Sequence, residues 1–214
     1  FPEKLVYDEV YGFNNPESFL RTLRNLYKAM HLERELEIKN ALIMAKDKVY
    51  RELLDIGIAL SAERDNEKLL DQILYRTREI TRSDAGSLYL LLKKEETVDK
   101  YLLFKIAHND SNPTDFTEFS MPLNVSSLAG YVAVNGVPLN IPDAYDIPEE
   151  TGITFNKSYD ESTGYRTKSI LTVPMKDHKG EILGVIQLIN KKREFIKKLK
   201  TPEDVESYVE PFNS

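Results

Sequence analysis

With 214 residues, 41% of them hydrophobic and 30% charged, the chain has the composition of a globular protein with one domain and an additional segment. Its net charge of -6 disfavours binding to nucleic acids, which requires a basic surface that replaces the counterions of the phosphates. Because the sequence contains no cysteine, disulfides, thiolate catalysis and cysteine-based zinc sites are excluded.

A long helix is predicted from about Pro16 to Ala62, because this region contains no further proline and no glycine before Gly57. Asn15 is the expected N-terminal cap, and Pro16 suits the first helical turn. Apolar residues recur along the helix in two runs: Phe19, Leu23, Leu26, Met30, and Ile38, Leu42, Ala45, Val49, Leu53, Ile56, Leu60. The irregular step between the two runs predicts that the apolar seam shifts register or breaks there.

Two interpretations of the second apolar run are open. The run is close to a heptad repeat with charged flanks, which is typical of a dimeric coiled coil and indicates a homodimer. It also fits an amphipathic helix that packs on its own domain. In both cases we assign residues 1–62 to an N-terminal segment and linker helix, and residues 63–214 to a globular domain. A start of the first helix of this domain near residue 50 is the alternative boundary.

The globular region is predicted to begin with a helix that ends at about Thr81. The periodicity then becomes extended, and six segments are predicted as strands: residues 87–92, 101–107, 116–122, 138–141, 169–176 and 182–190. A short helix is predicted at residues 126–135, and a last helix, capped by Thr201, is expected to be cut short by the end of the chain. Strands in successive hairpins with helices around them predict an α+β fold with an antiparallel sheet of about six strands.

Three segments of this region resemble GAF domains and occur in the order typical of that family: residues 138–145 (PLNIPDAY), 162–171 (STGYRTKSIL) and 184–191 (GVIQLINK). The resemblance covers about residues 50–210. It is closest to the GAF domains of cyclic-nucleotide phosphodiesterases and adenylate cyclases, and to those that precede HD-GYP phosphohydrolase domains in bacteria. It implies a GAF fold that acts as a small-molecule sensor in a cytoplasmic bacterial signalling protein.

The resemblance implies a site for a cyclic phosphate at the start of the short helix. In the nucleotide-binding relatives, backbone amides at this position receive the phosphate, and the matching residues here are Ser126, Ser127, Leu128 and Ala129. The N–H groups and the macrodipole of a helix N-terminus favour an anion, and serine hydroxyls can add donors. The alternative is that the serines only cap the helix.

On the strands, Ser87 matches a serine that faces the base in the relatives, and Gln187 replaces an acidic residue of some of them. The relatives stack the purine on a phenylalanine, but Ala107 stands at that position here. Stacking of a base on an aromatic ring contributes about 1–3 kcal/mol, so its loss weakens the case for nucleotide binding. The candidate replacements for the aromatic platform are Phe104, Phe116 and Tyr89.

The long connection of residues 142–168 supplies the other implied ligand contacts, since long ordered loops are often functional. Asp160, Thr163 and Thr167 match positions that contact the base or close the pocket in the relatives, and Asp143 is a further candidate. A carboxylate can accept a hydrogen bond from a purine N–H, and a hydroxyl can donate or accept. The alternative is that Asp143 and Asp160 organise the connection through Asx turns.

A last family pattern begins at Asn190-Lys191 and implies a structural ion pair between Lys191 and Asp204, which would join a strand to the final helix. The match to this pattern is partial. Its expected role is to fix one wall of the ligand pocket.

Catalysis is not expected within the chain, since its three histidines lie far apart and no glycine-rich phosphate-binding motif occurs. No metal and no cofactor are expected, apart from a bound cyclic nucleotide or another small ligand. No apolar run is long enough to span a membrane. Because the chain begins at Phe1, we expect a fragment of a larger protein. Its expected output domain is an HD-GYP-type, metal-dependent phosphohydrolase.

Two functions therefore stand side by side. In the first, a ligand orders the 142–168 connection and shifts the flanking helices from one conformation to another. Such a shift requires that the ligand bind the two conformations with different affinities. In the second, the domain binds no ligand and serves as a dimerisation and signal-transmission module in a cyclase or histidine kinase.

Overall fold

The computed structural model of the protein describes residues 16–62, 65–93, 99–113 and 116–212. The expected helix cap Asn15 lies outside the described residues, as do residues 94–98 between the first two predicted strands. The chain divides into two units, of which the first ends at Ala59 and the second begins at Leu60.

The predicted long helix, α1, spans Pro16–Ala62 and has 47 residues, nearly all of which belong to the first unit. The helix is continuous through the charged residues 33–35, so the seam between the two apolar runs changes register without a break. Apolar side chains are exposed along much of its length, among them Leu23, Met30, Ile38, Leu42 and Val49. Among the described residues, no helix combines the length and the apolar character that crossing a membrane requires.

The second unit begins with α2, Asn66–Thr81, as predicted. Asp65 is its N-terminal cap and accepts a hydrogen bond of 2.9 Å from the N–H of Glu67. The helix ends at Arg82, which has a left-handed backbone with φ 57°. Leu74 on α2 is fully buried against the sheet.

A single antiparallel sheet follows, and its path has the strand order β3-β2-β1-β6-β5-β4, with β7 added to β6. The strands are β1 Ser83–Lys93, β2 Lys100–Asn109, β3 Phe119–Pro122, β4 Leu139–Ile141, β5 Ile170–Lys176, β6 Ile182–Lys192 and β7 Val209–Glu210. Three further helices are α3 Leu128–Asn135, α4 Ser158–Thr163 and α5 Pro202–Tyr208. The predicted α+β fold with about six antiparallel strands and flanking helices is confirmed.

The sheet separates two apolar clusters, because neighbouring side chains of a strand point to opposite faces. One face packs against α2 through Leu74, Leu88, Ile186, Leu188 and Phe212. The other face packs against α3 through Tyr89, Leu102, Ala129, Val132, Ala133 and Val185. The residues predicted to bind a ligand on β1 and β6 share the parity of Tyr89 and Val185, so they lie on the α3 face.

The structure differs from the predicted elements at three places. β1 begins at Ser83, four residues before the predicted start, because Ser83 and Ala85 already pair with β6. The 142–168 connection contains a short 3-10 turn, Glu149–Thr151, and the helix α4. The last helix is not cut short by the end of the chain, because α5 ends at Tyr208 and β7 follows.

Candidate ligand-binding site

One cross-strand row on the α3 face contains three of the residues predicted to bind a ligand. Ala107 on β2 pairs with Ser87 on β1, which pairs with Gln187 on β6, and Gln187 pairs with Thr172 on β5. Ser87, Gln187 and Thr172 are buried. Thr172 was missed by the sequence analysis, because a lone threonine in an apolar strand carries no signal beyond its β propensity.

The polar groups of this row are only partly satisfied. The Tyr89 hydroxyl donates to Oε1 of Gln187 at 3.1 Å, and Oγ of Ser87 lies 3.4 Å from the Tyr89 oxygen and 3.5 Å from the same Gln187 oxygen. Burial raises the pKa of Tyr89, so its hydroxyl stays protonated and available as a donor. Oγ1 of Thr172 is buried and has no hydrogen-bond partner among the described residues. A buried hydroxyl without a partner is costly, so this atom marks a place for an additional polar group.

The aromatic residues near the row pack against one another. The rings of Tyr89 and Phe104 are stacked with centroids 4.6 Å apart. Phe116 and Phe119 contact the Phe104 ring edge-on at 4.5 Å and 5.0 Å. The three residues considered as replacements for the stacking platform are therefore engaged in one aromatic cluster, next to the small side chain at position 107.

The start of α3 forms a tight turn in which both predicted serines have local partners. Ser127 is the N-terminal cap, and its hydroxyl oxygen accepts from the N–H of Gly130 at 3.1 Å and donates to the carbonyl of Asn124 at 2.8 Å. Ser126 donates its hydroxyl to Oδ1 of Asn124 at 2.8 Å. These contacts agree with the capping role for Ser127, whereas the hydroxyl of Ser126 is bound within the turn. Leu128 and Ala129, the first residues of α3, supply N–H groups of the kind that a helix leaves without intrahelical acceptors.

The 142–168 connection lies against this turn. The N–H of Thr154 donates to the carbonyl of Ser126 at 2.7 Å, and Thr154 forms an isolated bridge with Ser127. Ile153 is buried in a cluster with Leu128 of α3 and Ile170 of β5. The connection therefore covers the N-terminal end of α3 on the face that carries the polar row.

Asp160 holds the connection together from inside. It is buried, and its carboxylate accepts hydrogen bonds from the N–H of Thr167 at 2.7 Å, the hydroxyl of Thr167 at 2.8 Å and the hydroxyl of Tyr145 at 3.1 Å. Burial, and next the contact with Asp160, raise the pKa of the Tyr145 phenol. Thr163, by contrast, is exposed and donates to the carbonyl of Tyr159 at 2.7 Å.

Asp143 forms the Asx turn that was the alternative to a ligand contact. Its Oδ1 accepts from the N–H of Tyr145 at 3.0 Å. One guanidinium nitrogen of Arg166 donates to both carboxylate oxygens of Asp143, at 2.9 Å and 3.0 Å. Asp160 forms no such turn, because its partner Thr167 is seven residues away.

The predicted ion pair between Lys191 and Asp204 is wrong. Nζ of Lys191 lies 3.0 Å from a carboxylate oxygen of Glu210, and the contact lowers the pKa of Glu210. Asp204 pairs with Lys197 at 3.1 Å and accepts from the backbone at the start of α5. The physical reason is β7, which was not predicted and which places Glu210 directly opposite Lys191.

Comparison with known proteins adds the following findings. A family model of the GAF domain matches residues 65–207. Dual 3',5'-cyclic-AMP and -GMP phosphodiesterase 11 of Drosophila melanogaster is 35% identical over 136 residues, which are 60% of this chain and 9% of the relative. The chain thus corresponds to a small part of the length of that protein.

Several solved structures are similar in fold. The GAF domain of A. aeolicus nlh2 in an inactive state has a TM-score of 0.49 at 17% identity, over 76% of this chain and 86% of that one. The GAF domain of a Coxiella burnetii phosphoenolpyruvate-protein phosphotransferase has a TM-score of 0.49 at 19% identity, over 74% and 83%. Because the GAF family model spans more than half of the sequence, the chain belongs to the GAF domain family.

Proposed function

We propose that this chain is a regulatory module that binds a small molecule between the polar row of the sheet and the 142–168 connection. The observation that carries the proposal is the buried hydroxyl of Thr172, which has no partner among the described residues and lies beside Gln187 in the row. A ligand with a hydrogen-bond acceptor or donor at this position would supply the partner. The backbone at the start of α3 would face the same space.

A cyclic nucleotide is the first candidate ligand. It is supported by the implied match of the α3 N-terminus to a phosphate site and by the similarity to a phosphodiesterase whose name specifies cyclic AMP and cyclic GMP. The absence of an aromatic platform at Ala107 predicts an affinity about fivefold to more than a hundredfold lower than that of a stacked nucleotide. Asp160 would act indirectly in this proposal, by holding the connection closed, since both of its oxygens already have donors.

Thermal unfolding with millimolar cyclic AMP, cyclic GMP or cyclic di-GMP tests this proposal. A ligand at one hundred times its dissociation constant adds about 2.7 kcal/mol of stability. For a chain of this size that corresponds to a rise in Tm of about 5–10 °C. A folded sample whose Tm does not respond to any of the three nucleotides would contradict the nucleotide proposal.

Thr172→Val is expected to reduce this ligand response while leaving the Tm of the free protein unchanged or slightly higher. The substitution keeps the shape of the side chain and removes a hydroxyl that has no partner among the described residues, so no intramolecular hydrogen bond is lost. Ser120→Ala on the exposed strand β3 is the control and should respond to ligand like the wild type. If Thr172→Val responds to ligand as strongly as the wild type, the ligand does not bind at the polar row of the sheet.

We also propose that the module controls a phosphohydrolase domain in a longer, cytoplasmic signalling protein. The name of the Drosophila relative supports a phosphodiesterase, and the resemblance of residues 155–161 to bacterial GAF domains supports the HD-GYP type. Assay of the full-length protein for hydrolysis of cyclic mononucleotides and cyclic di-GMP, with and without added divalent metal, separates the two kinds of output domain.

Homodimerisation through α1 is favoured by a separate observation, the row of exposed apolar side chains on a 47-residue helix. The double variant Leu42→Lys/Val49→Lys is expected to convert a dimer to a monomer, because it places like charges on the predicted seam. Asn40→Lys lies off the seam and should remain dimeric. Sedimentation equilibrium measures the mass, and a monomeric wild type would exclude both the dimer and the alternative function as a dimerisation module.

A further inference from the structure

A fully buried carboxylate, Asp84, lies at the start of β1, outside the polar row. Nζ of Lys192 on β6 is 2.9 Å from its Oδ1, and the two side chains are 1% and 0% exposed. The hydroxyl of Ser111 donates to the same oxygen at 2.7 Å. The hydroxyl of Tyr165, in the 142–168 connection, donates to the other carboxylate oxygen at 2.8 Å. Both oxygens of Asp84 are thus held by donors from three different segments.

The backbone of the same residue is bound by α2. Arg78, which is buried near the C-terminal end of α2, donates to the carbonyl oxygen of Asp84 at 2.7 Å. Arg78 also pairs with Asp110 at 2.6 Å, and Asp110 donates its N–H to the same carbonyl at 3.0 Å. The second oxygen of Asp110 is 3.8 Å from Lys192, which closes the network.

The 142–168 connection contacts Asp84 through the side chain of Tyr165. Tyr165 follows Gly164, which caps the C-terminus of α4 in a left-handed conformation with a φ of 71°. The Tyr165 hydroxyl accepts from Nδ2 of Asn190 at 3.0 Å while it donates to Asp84. Burial, and then the neighbouring Asp84, raise the pKa of Tyr165 well above its ordinary value, so the hydroxyl stays a donor over the whole physiological range.

We propose that Asp84 is a junction that couples the 142–168 connection to the C-terminal end of α2, through Tyr165 on one side and Arg78 on the other. A buried carboxylate that loses one donor is left with an uncompensated cost, because no water replaces the lost hydrogen bond. Withdrawal of Tyr165 therefore changes the energy of the remaining contacts around Asp84, including those of Arg78. By linkage, displacement of Arg78 changes the stability of the connection by the same amount.

The coupling exists in the free protein and does not require a ligand. If the proposed sensor function holds, the junction gives an opening or closing of the connection a route to α2, which follows α1 in the chain. A negative result in the nucleotide test would not contradict the proposed coupling through Asp84. A negative result for the coupling would likewise not contradict ligand binding.

Hydrogen exchange measured by mass spectrometry tests the junction in the unliganded chain. Tyr165→Phe removes the hydrogen bond to Asp84 and the one from Asn190. The variant is expected to accelerate exchange at least about tenfold in peptides of residues 158–168, because loss of a buried hydrogen bond to a charged group by itself corresponds to about that factor. It should also accelerate exchange in peptides of residues 76–82, at the end of α2. Arg78→Met should accelerate exchange in residues 158–168 in return.

Tyr145→Phe is the matched control, because it removes a tyrosine hydroxyl that contacts Asp160 inside the connection and not Asp84. It should affect residues 158–168 and leave residues 76–82 at the wild-type rate. Ser111→Ala removes another donor to Asp84, together with the acceptor of the Leu199 N–H. It should also accelerate exchange in residues 158–168 and 76–82, and it covers the case in which Tyr165→Phe does not fold. The proposal is overturned if Tyr165→Phe leaves residues 76–82 unchanged, or if Tyr145→Phe accelerates them equally.

Discussion

Lys192→Met is expected to destabilise the protein by about 3–5 kcal/mol, since removal of one partner of a buried ion pair leaves the other charge uncompensated. Asp84 would keep the hydroxyl donors of Ser111 and Tyr165 but would lose its only close ammonium partner within the described residues. Chemical denaturation of the wild type and the variant, compared at equal m-values, measures the change.

The double variant Asp84→Asn/Lys192→Met is the control for this effect. Replacing both charges of a buried pair is often neutral or even stabilising, so the double variant should be more stable than Lys192→Met alone. Lys176→Met, at the exposed end of β5, should change the free energy of unfolding by less than about 0.5 kcal/mol. Equal losses for Lys192→Met and the exposed control would show that the pair does not contribute as the structure indicates.

Gly130→Ala is the second substitution with a large expected effect. In a helix, replacement of glycine by alanine ordinarily stabilises by about 1 kcal/mol. At this position, however, an added Cβ would lie 1.9 Å from the carbonyl oxygen of Asn124 and 2.7 Å from Oγ of Ser127, and the nearest atom is backbone. Overpacking of this kind typically costs about 1–3 kcal/mol, and a contact this short belongs to the upper end, so a net destabilisation of about 2 kcal/mol is expected.

The thermal unfolding of Gly130→Ala should therefore begin at a lower temperature, and the turn before α3 should exchange its amide hydrogens faster. Val134→Ala, at an exposed position of the same helix, is the control for the general tolerance of α3 to substitution. A Tm for Gly130→Ala equal to or above that of the wild type would mean that the turn rearranges at little cost. Such a rearrangement would also displace Ser127 and the amides proposed to face the ligand.

The elements that the sequence predicted best are those with local signals. Asp65 caps α2, Ser127 and Gly136 bound α3, and Thr201 caps α5, because capping depends on residues within one helical turn of each other. The GAF family was likewise recognisable, since three motifs occur in a fixed order along the chain. The extended periodicity placed Ser87, Ala107 and Gln187 on predicted strands, and the register of the sheet then brought them into one row.

Ion-pair partners were predicted poorly, and the reason is geometric. The sequence offers many acidic partners to Lys191 and Lys192, and the choice among them depends on which strands are neighbours. The pairing of β7 with β6 assigns Glu210 to Lys191, and the early start of β1 brings Asp84 to Lys192. Neither of these two features can be recognised in the local sequence. A strand of two residues and a strand that begins with polar residues both lack an apolar pattern.

The sequence by itself determined the class of the fold, the order of its six main strands, the family and the absence of cysteine chemistry, all of which depend on composition, periodicity and short motifs. Only the tertiary structure decided the roles of the polar residues. It enclosed Asp160 within its own loop, left Thr172 without a partner among the described residues, and placed Asp84 between Tyr165 and Arg78. Each of these roles depends on distances between segments far apart in the chain, and a hydrogen bond is defined by such a distance and not by the identity of the residue alone.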